Sequence, residues 1–415
     1  MLKKIRSKYI LQKLFENFTR KTTLKLVKYN KKLKTSLDIK LKDFKYYKPL
    51  TELNQKFNLD IKDTDLQKLD LTNTNLNNEI FNYFEKIDFI ELKELNLSYN
   101  NLSAENQDEE QLDNKIRPFN EIKFNSLVIL DLNNNQISNL EILQYMKIPN
   151  LKELHLRYNN IVDLTGLEKV NFEKLEILNL SENNIINIDV FAKVNFKELK
   201  ELNLRYNNIT DINVFEKVNF KKLEILDLEH NMVLNIDVLA KVDFKELKKL
   251  NLFFNSFKNI QVLENTNFKK LEKLYICNYY LAPSFDVLEK VNFKKLQGLY
   301  LSYNNLPDVN ILEKLNFYEL KELYLNYNQI EDIKVLERVK FDKLEILNLS
   351  NNKISDINNL ENVNFRNLKE LNLSYNNISN IDILEKANFN ELKELNLSNN
   401  KLSNIKILEK LNLLI

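Results

Sequence analysis

The chain has 415 residues, 44% of them hydrophobic, which is enough to bury a substantial core. Its only glycines, Gly166 and Gly298, exclude phosphate-binding loops, because such loops need several closely spaced glycines. A single cysteine, Cys277, rules out an internal disulfide and favours a reducing compartment. The sequence contains no run of about 18 apolar residues, so no membrane span is predicted.

The first 60 residues differ from the rest in charge and in pattern. Residues 1–50 hold 16 Lys and Arg against three acidic residues, whereas the remainder carries a net charge of −11. Apolar residues at three- and four-residue steps predict two amphipathic helices, one ending near Phe18 and one around Val27. Pro49 is expected to close the segment. The chain therefore divides into a basic N-terminal segment, residues 1–60, and a second domain, residues 61–415.

Three interpretations of residues 1–60 stay open. The one we favour is a cap that covers the edge of the array that follows. The second is a resemblance: Ile10 to Leu33 opens with I-L-Q-K-L-F, passes through a polar break, and carries Leu and Val before an Asn, which is similar in layout to an F-box. That resemblance implies binding to a cullin adaptor. The third is a basic arm attracted to nucleic acid or anionic lipid; nucleic acid is not the expected partner.

A repeat of about 24 residues runs from Leu66 to the C-terminus. Its first leucines are Leu127, Leu151, Leu175, Leu199, Leu223, Leu247 and Leu271, and, after a slip of one residue, Leu296, Leu320, Leu344, Leu368 and Leu392. A fixed period of this length is typical of a solenoid. The repeat before Leu127 is longer and contains an acidic insertion near residues 103–120, which is expected to be a solvated loop.

Each repeat begins with Leu-x-x-Leu-x-Leu-x-x-Asn-x-Ile. Leucines two residues apart lie on the same face of a short strand, so the strand is predicted to be half-buried. The Asn follows where the chain leaves the strand, and stacked copies of its amide can satisfy backbone groups left inside the coil. Its copies are Asn100, Asn135, Asn159, Asn183, Asn207, Asn231, Asn255, Asn304, Asn328, Asn352, Asn376 and Asn400.

The outer part of each repeat carries apolar residues at steps of three, such as Ile212, Phe215 and Val218. This spacing predicts a short helix or tight helical turns over the core. Asn213 and Glu216 have the spacing of a capping box at its start. One strand and one short helix per repeat are therefore expected.

From these residues the chain is identified as similar to the leucine-rich repeat family, of the cytosolic type with 24-residue repeats. The resemblance covers residues 66–415, with about 14 repeats. It implies an α/β solenoid, a horseshoe with a parallel β-sheet on its concave face and short helices on its convex face, preceded by the small helical N-terminal segment. The array ends in Leu411, Leu413, Leu414 and Ile415 without a polar cap, so a homodimer through this end is an open alternative.

Function is expected from strand positions that point away from the core. Aromatic residues occupy outward strand positions in four successive repeats: Phe253, Phe254, Tyr275, Tyr300, Tyr303, Tyr324 and Tyr327. Arg157 with Tyr158, and Arg205 with Tyr206, follow the same pattern earlier in the chain. Tyr, Phe and Arg are typical of binding hot spots, so these eleven residues are the predicted partner-binding set. Cys277 is predicted to lie in the same patch, beside Tyr279, which replaces the ladder Asn.

No catalytic, cofactor-binding or metal-binding residues are predicted. His155 and His230 are three repeats apart, roughly 14 Å at the strand spacing of a parallel sheet, which is too far for one metal ion. We interpret both as exposed polar residues. The chain is therefore expected to be a non-enzymatic scaffold that binds a protein partner on its concave face and takes no cofactor or small-molecule substrate.

Two alternative functions stay open: an F-box substrate receptor of a cullin ubiquitin ligase and, by resemblance, a regulatory subunit of a protein phosphatase. The predicted location is the cytoplasm, with the nucleus as an alternative. Asn-Leu-Ser tripeptides such as Asn179–Ser181 match the glycosylation pattern but fall within predicted strands, where glycans would cover the inner wall.

Overall fold

The computed structural model describes residues 41–103, 122–277, 285–404 and 406. The chain forms two compact units, Met1–Leu151 and Lys152–Ile415. Several predictions fall outside the described residues and stay predictions. They concern the cap or F-box-like segment, residues 104–121 of the acidic insertion, the irregular residues 278–284, and the apolar C-terminal end.

The first unit begins with helix α1, Leu41–Phe57, which buries Tyr46, Leu50 and Leu53. The expectation that Pro49 closes the N-terminal segment is wrong, because Pro49 lies inside this helix. A proline ring removes one backbone hydrogen bond, and burial of the neighbouring leucines offsets that cost. In the described part of the chain, no helix is long and apolar enough to cross a membrane.

The rest of the first unit contains a parallel sheet and a short helix. Its strands are β1 (Lys68–Asp70), β2 (Glu94–Asn96) and β3 (Ile129–Asp131), with β2 between the other two. Helix α2, Ile80–Phe84, follows β1, and a 3₁₀ helix, Glu141–Tyr145, follows β3. Phe84 packs edge-on against Phe89 and Phe124 at ring-centroid distances of 5.7 and 5.8 Å. These contacts form the core of the unit.

The described residues of the second unit form eleven strands, each paired in parallel with the next. They are β4 (Glu153–His155), β5 (Ile177–Asn179), β6 (Glu201–Asn203), β7 (Ile225–Asp227), β8 (Lys249–Leu252), β9 (Lys273–Ile276), β10 (Gly298–Tyr300), β11 (Glu322–Tyr324), β12 (Ile346–Asn348), β13 (Glu370–Asn372) and β14 (Glu394–Asn396). Partners stand one regular repeat apart, as in Leu299 with Leu323, except that Leu274 pairs with Leu299 across a longer step. The single-residue slip lies between β9 and β10.

Each strand is half-buried, as predicted. The leucine at the centre of the strand, such as Leu202 or Leu226, is buried, while the residue before it is at least partly exposed in every strand except β10, where Gly298 is buried. The next leucine, such as Leu204, is also buried because side chains alternate along a strand. One face of the sheet is therefore core, and the other, which we call the open face, carries the residues between the leucines.

Short 3₁₀ helices cover the core on the other side of the second unit. They span Thr165–Lys169, Asp189–Ala192, Asn213–Glu216, Asp237–Ala240, Gln261–Asn265, Asp286–Glu289, Asn310–Lys314, Lys334–Glu337, Asn358–Asn362 and Asp382–Glu385. The predicted capping box is wrong, because the N-cap position of this helix is held by Ile212, whose side chain cannot accept a hydrogen bond, rather than by Asn213. Instead, Asp211 Oδ1 accepts a hydrogen bond from the Asn213 amide at 2.7 Å, so the cap residue lies two positions earlier.

The asparagine ladder is confirmed. Asn183 Nδ2 donates to the carbonyls of Leu180 and Ser181 at 3.1 Å each, and to that of Leu156 in the preceding repeat at 2.9 Å. Its Oδ1 accepts from the Ile161 amide at 3.0 Å. The same bonds recur at Asn207, Asn231, Asn328, Asn352 and Asn376. One buried amide thus joins each of these repeats to the one before it.

Oppositely charged side chains alternate at the equivalent position of six successive repeats in the second unit: Lys152, Glu176, Lys200, Glu224, Lys248 and Glu272. Glu176 lies between Lys152 and Lys200, with N–O distances of 2.6 and 2.5 Å. The hydrogen bonds from these two lysines lower the pKa of Glu176. Glu224 pairs with Lys248 at 2.6 Å in the same row. Each exposed pair contributes little alone, but the row matches each repeat to a neighbour of opposite charge.

Candidate functional site

The predicted partner-binding residues occupy two different kinds of position, which corrects the expectation that all lie in strands. Tyr275, Tyr300 and Tyr324 lie in β9, β10 and β11. The others follow their strands, in the turn that leads to the ladder asparagine: Arg157, Tyr158, Arg205, Tyr206, Phe253, Phe254, Tyr303 and Tyr327. The sequence pattern could not separate the two groups, because these strands are only three or four residues long.

The three strand tyrosines form a stack on the open face, which we call the strand column. Tyr275 and Tyr300 are paired in register, with ring centroids 3.8 Å apart and planes 7° from parallel. Tyr300 and Tyr324 are also paired, at 4.9 Å and 18°. Since neighbouring parallel strands hold their side chains in line, one aromatic residue per strand is sufficient to build the stack. Its outer surface is made of ring edges.

A glycine makes room for the central ring. A Cβ atom on Gly298 would lie 2.8 Å from the Tyr300 ring, so the ring lies over the backbone of its own strand. The Tyr300 hydroxyl hydrogen-bonds the Glu322 carboxylate. Lys273 reaches across from β9 to the same carboxylate at 3.1 Å and lies 3.3 Å from the Tyr300 hydroxyl. Burial and the Glu322 contact raise the pKa of Tyr300, which keeps its hydroxyl protonated.

The strand column occupies positions that elsewhere carry a structural residue. In β8, Asn251 Oδ1 accepts a hydrogen bond from the Phe253 amide at 3.1 Å, and in β12 Asn348 Oδ1 accepts from Ser350 at 3.0 Å. Tyrosine cannot make this turn-stabilising bond, which contributes about 1 kcal/mol. Ring stacking offsets that loss with about 0.5–1.5 kcal/mol for each aromatic pair. The scaffold therefore does not require these three tyrosines.

A second series of rings, the turn column, lies beside the first. It runs from Tyr206 through His230, Phe254 and Tyr303 to Tyr327, with centroid distances of 4.1, 4.4, 5.4 and 4.2 Å. All five residues have positive φ, between 51° and 59°. This conformation costs a non-glycine residue about 1 kcal/mol or more. The same conformation recurs at this position in repeats without a stacked ring, such as Glu182 and Asn351, so it belongs to the turn of the repeat. Burial raises the pKa of Tyr303 to about 12.

Phe253 and Cys277 are near the column residues in the sequence but belong to neither column, and they differ in exposure. Phe253 is half-buried and packs edge-on against Phe254, with ring centroids 4.9 Å apart. Cys277 is fully buried, and its thiol donates to the Tyr303 carbonyl at 3.2 Å. Its predicted place in the surface patch is therefore wrong. Burial raises the pKa of Cys277 to about 11, so the thiol stays protonated and unreactive.

The arginines of the predicted set are held by carboxylates. Arg157 donates to Glu182 through Nε and Nη2, at 3.0 and 2.6 Å. Arg205 lies 3.2 Å from Glu229, with its guanidinium over the Tyr206 ring at 4.8 Å. Tyr206 itself belongs to the turn column, because its ring stacks on His230. Arg157 and Tyr158 lie outside both columns, so the structure brings together nine of the eleven predicted residues.

The two histidines are not equivalent, which corrects their common interpretation as exposed polar residues. His155 lies in β4 with Nε2 3.3 Å from Glu153. His230 is a member of the turn column, between Tyr206 and Phe254. Sequence reasoning missed this role, although His230 stands at the position that Tyr206 holds in the preceding repeat. Among the described residues no group of His, Cys, Asp and Glu could hold a metal ion.

Acid should weaken the turn column through His230. Burial lowers the pKa of His230 below its ordinary value of 6.5; Arg205 adds to the lowering and Glu229 opposes it. Folding therefore favours the neutral imidazole. The stability that depends on the neutral ring is fully present above pH 6.5 and is lost as the pH falls through the lower pKa of the folded state. We expect the free energy of unfolding to fall from pH 7 to pH 5 more steeply in the wild type than in His230→Phe. Equal slopes in urea titrations would contradict this.

Comparisons with known families find the same repeat along much of the chain. The profile described as "Leucine Rich repeats (2 copies)" matches residues 149–193, 294–338, 318–362 and 366–411. Profiles described as "Leucine rich repeat" and "Leucine Rich repeat" match residues 173–233 and 92–105. Together these matches cover just over half of the chain. No curated protein matches the sequence.

Solved structures with the same fold include proteins of bacteria and plants. An internalin of Listeria monocytogenes is 22% identical, with a TM-score of 0.55 over 97% of this chain and 95% of that one. A leucine-rich repeat protein of Leptospira interrogans is 22% identical, with a TM-score of 0.59 over 84% and 93%. The Arabidopsis receptor kinase HAESA, in complex with the peptide hormone IDA and the co-receptor SERK1, is 21% identical, with a TM-score of 0.50 over 81% and 59%.

Proposed function

Since the chain belongs to the leucine-rich repeat family, we propose that it is a non-enzymatic scaffold whose protein partner binds the strand and turn columns on the open face of the second unit. The fold supports a role in protein interaction in general. The partner would contact Phe253, the three rings of the strand column and the adjoining rings of the turn column. This face corresponds to the concave surface of the family's horseshoe.

The observation that carries the proposal is the replacement of turn-stabilising asparagines by tyrosine in three successive strands. β9, β10 and β11 forgo that bond and present a stack of half-buried rings instead. Phe, Tyr and cationic side chains supply large, rigid contact area at binding hot spots. Lys249 Nζ lies 5.4 Å from the Tyr275 ring, which adds a cation at the margin. The two columns extend over six strands, β6 to β11, or roughly 24 Å at the usual strand spacing, so they form the centre of a standard interface rather than all of it.

Truncation of the rings should abolish partner binding while the fold persists. We expect Phe253→Ala/Tyr275→Ala/Tyr303→Ala to lose a partner that the wild type captures from its native cells. Each truncation removes about 0.5–1.5 kcal/mol of stacking, so thermal unfolding should stay cooperative at a slightly lower midpoint. Quantitative mass spectrometry of captured proteins and circular dichroism provide the two measurements.

A matched variant separates the columns from exposed aromatic residues in general. Tyr318 and Tyr375 are each 56% exposed and belong to neither column. Tyr318→Ala/Tyr375→Ala should therefore keep the partner. Equal recovery of the partner by the triple variant, or equal loss in both variants, would refute the proposed site.

The other functions suggested by the sequence stay predictions. An F-box substrate receptor depends on residues 10–33, which lie outside the described part of the chain. A phosphatase regulator has no specific residue in its favour. The absence of enzymatic activity and the cytoplasmic location are likewise expectations, tested by activity screens and by imaging of the tagged protein.

A further inference from the structure

A line of exposed apolar side chains runs along one edge of the second unit and shares no residue with the two columns. Val162, Ile186 and Leu234 are 50, 55 and 60% exposed. All three stand at the same position of their repeats. The repeat between those of Ile186 and Leu234 has Thr210 at this position. Met232, 52% exposed, lies two residues before Leu234. We call these four apolar residues the edge stripe.

The backbone joins successive repeats at this edge, which holds the stripe residues in line on either side of Thr210. The amides of Asn184, Asn208 and Met232 each donate to the preceding repeat, at 2.9 Å. The Leu234 amide donates to the Thr210 carbonyl at 3.2 Å. At the strand spacing of a parallel sheet, the stripe extends roughly 14 Å from Val162 to Leu234. Large apolar side chains exposed at the same position of neighbouring repeats make this edge a candidate interaction site.

A line of uncompensated carboxylates borders the stripe. Each of the four repeats has one, either next to the stripe residue or three positions after it: Asp163, Asp189, Asp211 and Asp237. All four are exposed, and none has a Lys, Arg or His nitrogen within 4.0 Å among the described residues.

The lack of ion pairs is specific to this border. Between residues 152 and 250, every other acidic side chain is ion-paired to a Lys or Arg, except Glu201 and Glu153, whose neighbour is His155. In later repeats the stripe position carries Lys258, Pro307, Glu331, Ser355 and Ser379, none of them a large apolar residue. Within the described part of the second unit, the combination of apolar stripe and carboxylates without ion pairs is thus confined to the first four repeats.

We propose that this edge binds a basic amphipathic helix of a partner protein, with apolar residues on the edge stripe and Lys or Arg against the four aspartates. A helix advances about 5.4 Å per turn, close to the spacing of roughly 4.8 Å between repeats, so each turn meets one repeat. Addition of a β-strand fits less well, since the backbone amides at this edge already donate to neighbouring repeats. Charge complementarity selects a cationic helix over an anionic one.

The test uses labelled synthetic peptides and the full-length chain. One probe of about 18 residues, long enough to be helical, carries leucines on one face and lysines on both flanks. A second probe replaces the lysines by glutamates, and a third contains the residues of the first in alternating order. Fluorescence anisotropy should show saturable, salt-sensitive binding of the first probe only.

Two variants copy residues that the chain already tolerates at equivalent positions. Ile186→Thr/Leu234→Thr matches Thr210 and should weaken the first probe tenfold or more. Asp189→Asn/Asp211→Asn/Asp237→Asn keeps the turn hydrogen bonds, since Asn213 and Asn235 stand at equivalent positions, and should remove most of the salt sensitivity.

Four outcomes would overturn the proposal: no saturation with the first probe, equal binding of either comparison probe, unchanged affinity in Ile186→Thr/Leu234→Thr, or loss of the probe in Phe253→Ala/Tyr275→Ala/Tyr303→Ala. The last outcome would place the peptide on the open face. The stripe is separate from the columns, so the proposed function and this inference can fail independently.

Discussion

Asn183→Ala is expected to lower the free energy of unfolding of the second unit by about 3 kcal/mol. The substitution removes three bonds donated by Nδ2 and one accepted by Oδ1, and it leaves the Ile161 amide without this partner inside the coil. Asn183 is only 7% exposed, so water cannot replace these bonds without opening the turn. Urea unfolding measures the loss, and hydrogen exchange at Ile161 locates it.

The adjacent asparagine provides the control. Asn184 has the same side chain but is exposed. Asn184→Ala should change the free energy of unfolding by less than about 0.5 kcal/mol and leave exchange at Ile161 unchanged. If the two variants unfolded alike, the ladder bonds would not hold successive repeats together.

Gly298→Ala should destabilise the second unit by about 2 kcal/mol, because the added methyl lies 2.8 Å from the Tyr300 ring. To relieve the contact, the end of the ring must shift, which strains its stacking between Tyr275 and Tyr324 and its hydrogen bond to Glu322. The φ angle of Gly298 is not positive, so the substitution is not strained by backbone conformation. The cost comes from the approach of the ring alone.

A double-mutant cycle isolates that cause. In a Tyr300→Ala background the methyl meets no ring, and Gly298→Ala should become neutral or stabilising by up to about 1 kcal/mol, because alanine restricts the unfolded chain. A change of sign between the two backgrounds, measured by urea unfolding, is the expected result. The same destabilisation in both backgrounds would mean that Gly298 serves some purpose other than accommodating Tyr300.

The sequence predicted the layers of the fold because its strongest signals come from buried, repeated residues. Leucines two residues apart and one Asn per repeat require a half-buried strand and a satisfied turn, whatever lies outside. The helix caps were harder to predict, since Asn and Asp stand two residues apart in many repeats and only the backbone decides which of them accepts the bond. Pro49 was misread for a related reason: burial of its neighbours outweighs the local preference of proline.

The site was predictable in composition but not in geometry. Tyr275, Tyr300 and Tyr324 stand out in the sequence because they replace Asn. The positive φ of Tyr303 and Tyr327, the burial of Cys277 and the position of the Tyr300 ring over Gly298 depend on packing between repeats. The edge stripe had a readable signal, since its valine, isoleucine and leucine align when the repeats are superimposed, but it lies outside the strands where function was sought.

Because positive and negative side chains alternate from Lys152 to Glu272, removal of an odd or an even number of these repeats has different effects on charge pairing. Excision of one repeat, residues 200–223, would bring Glu176 beside Glu224, two carboxylates with no lysine between them. Excision of two repeats, residues 200–247, would bring Glu176 beside Lys248 and restore a pair of opposite sign. Between residues 152 and 272, charge matching therefore favours the loss or gain of repeats in pairs over single repeats.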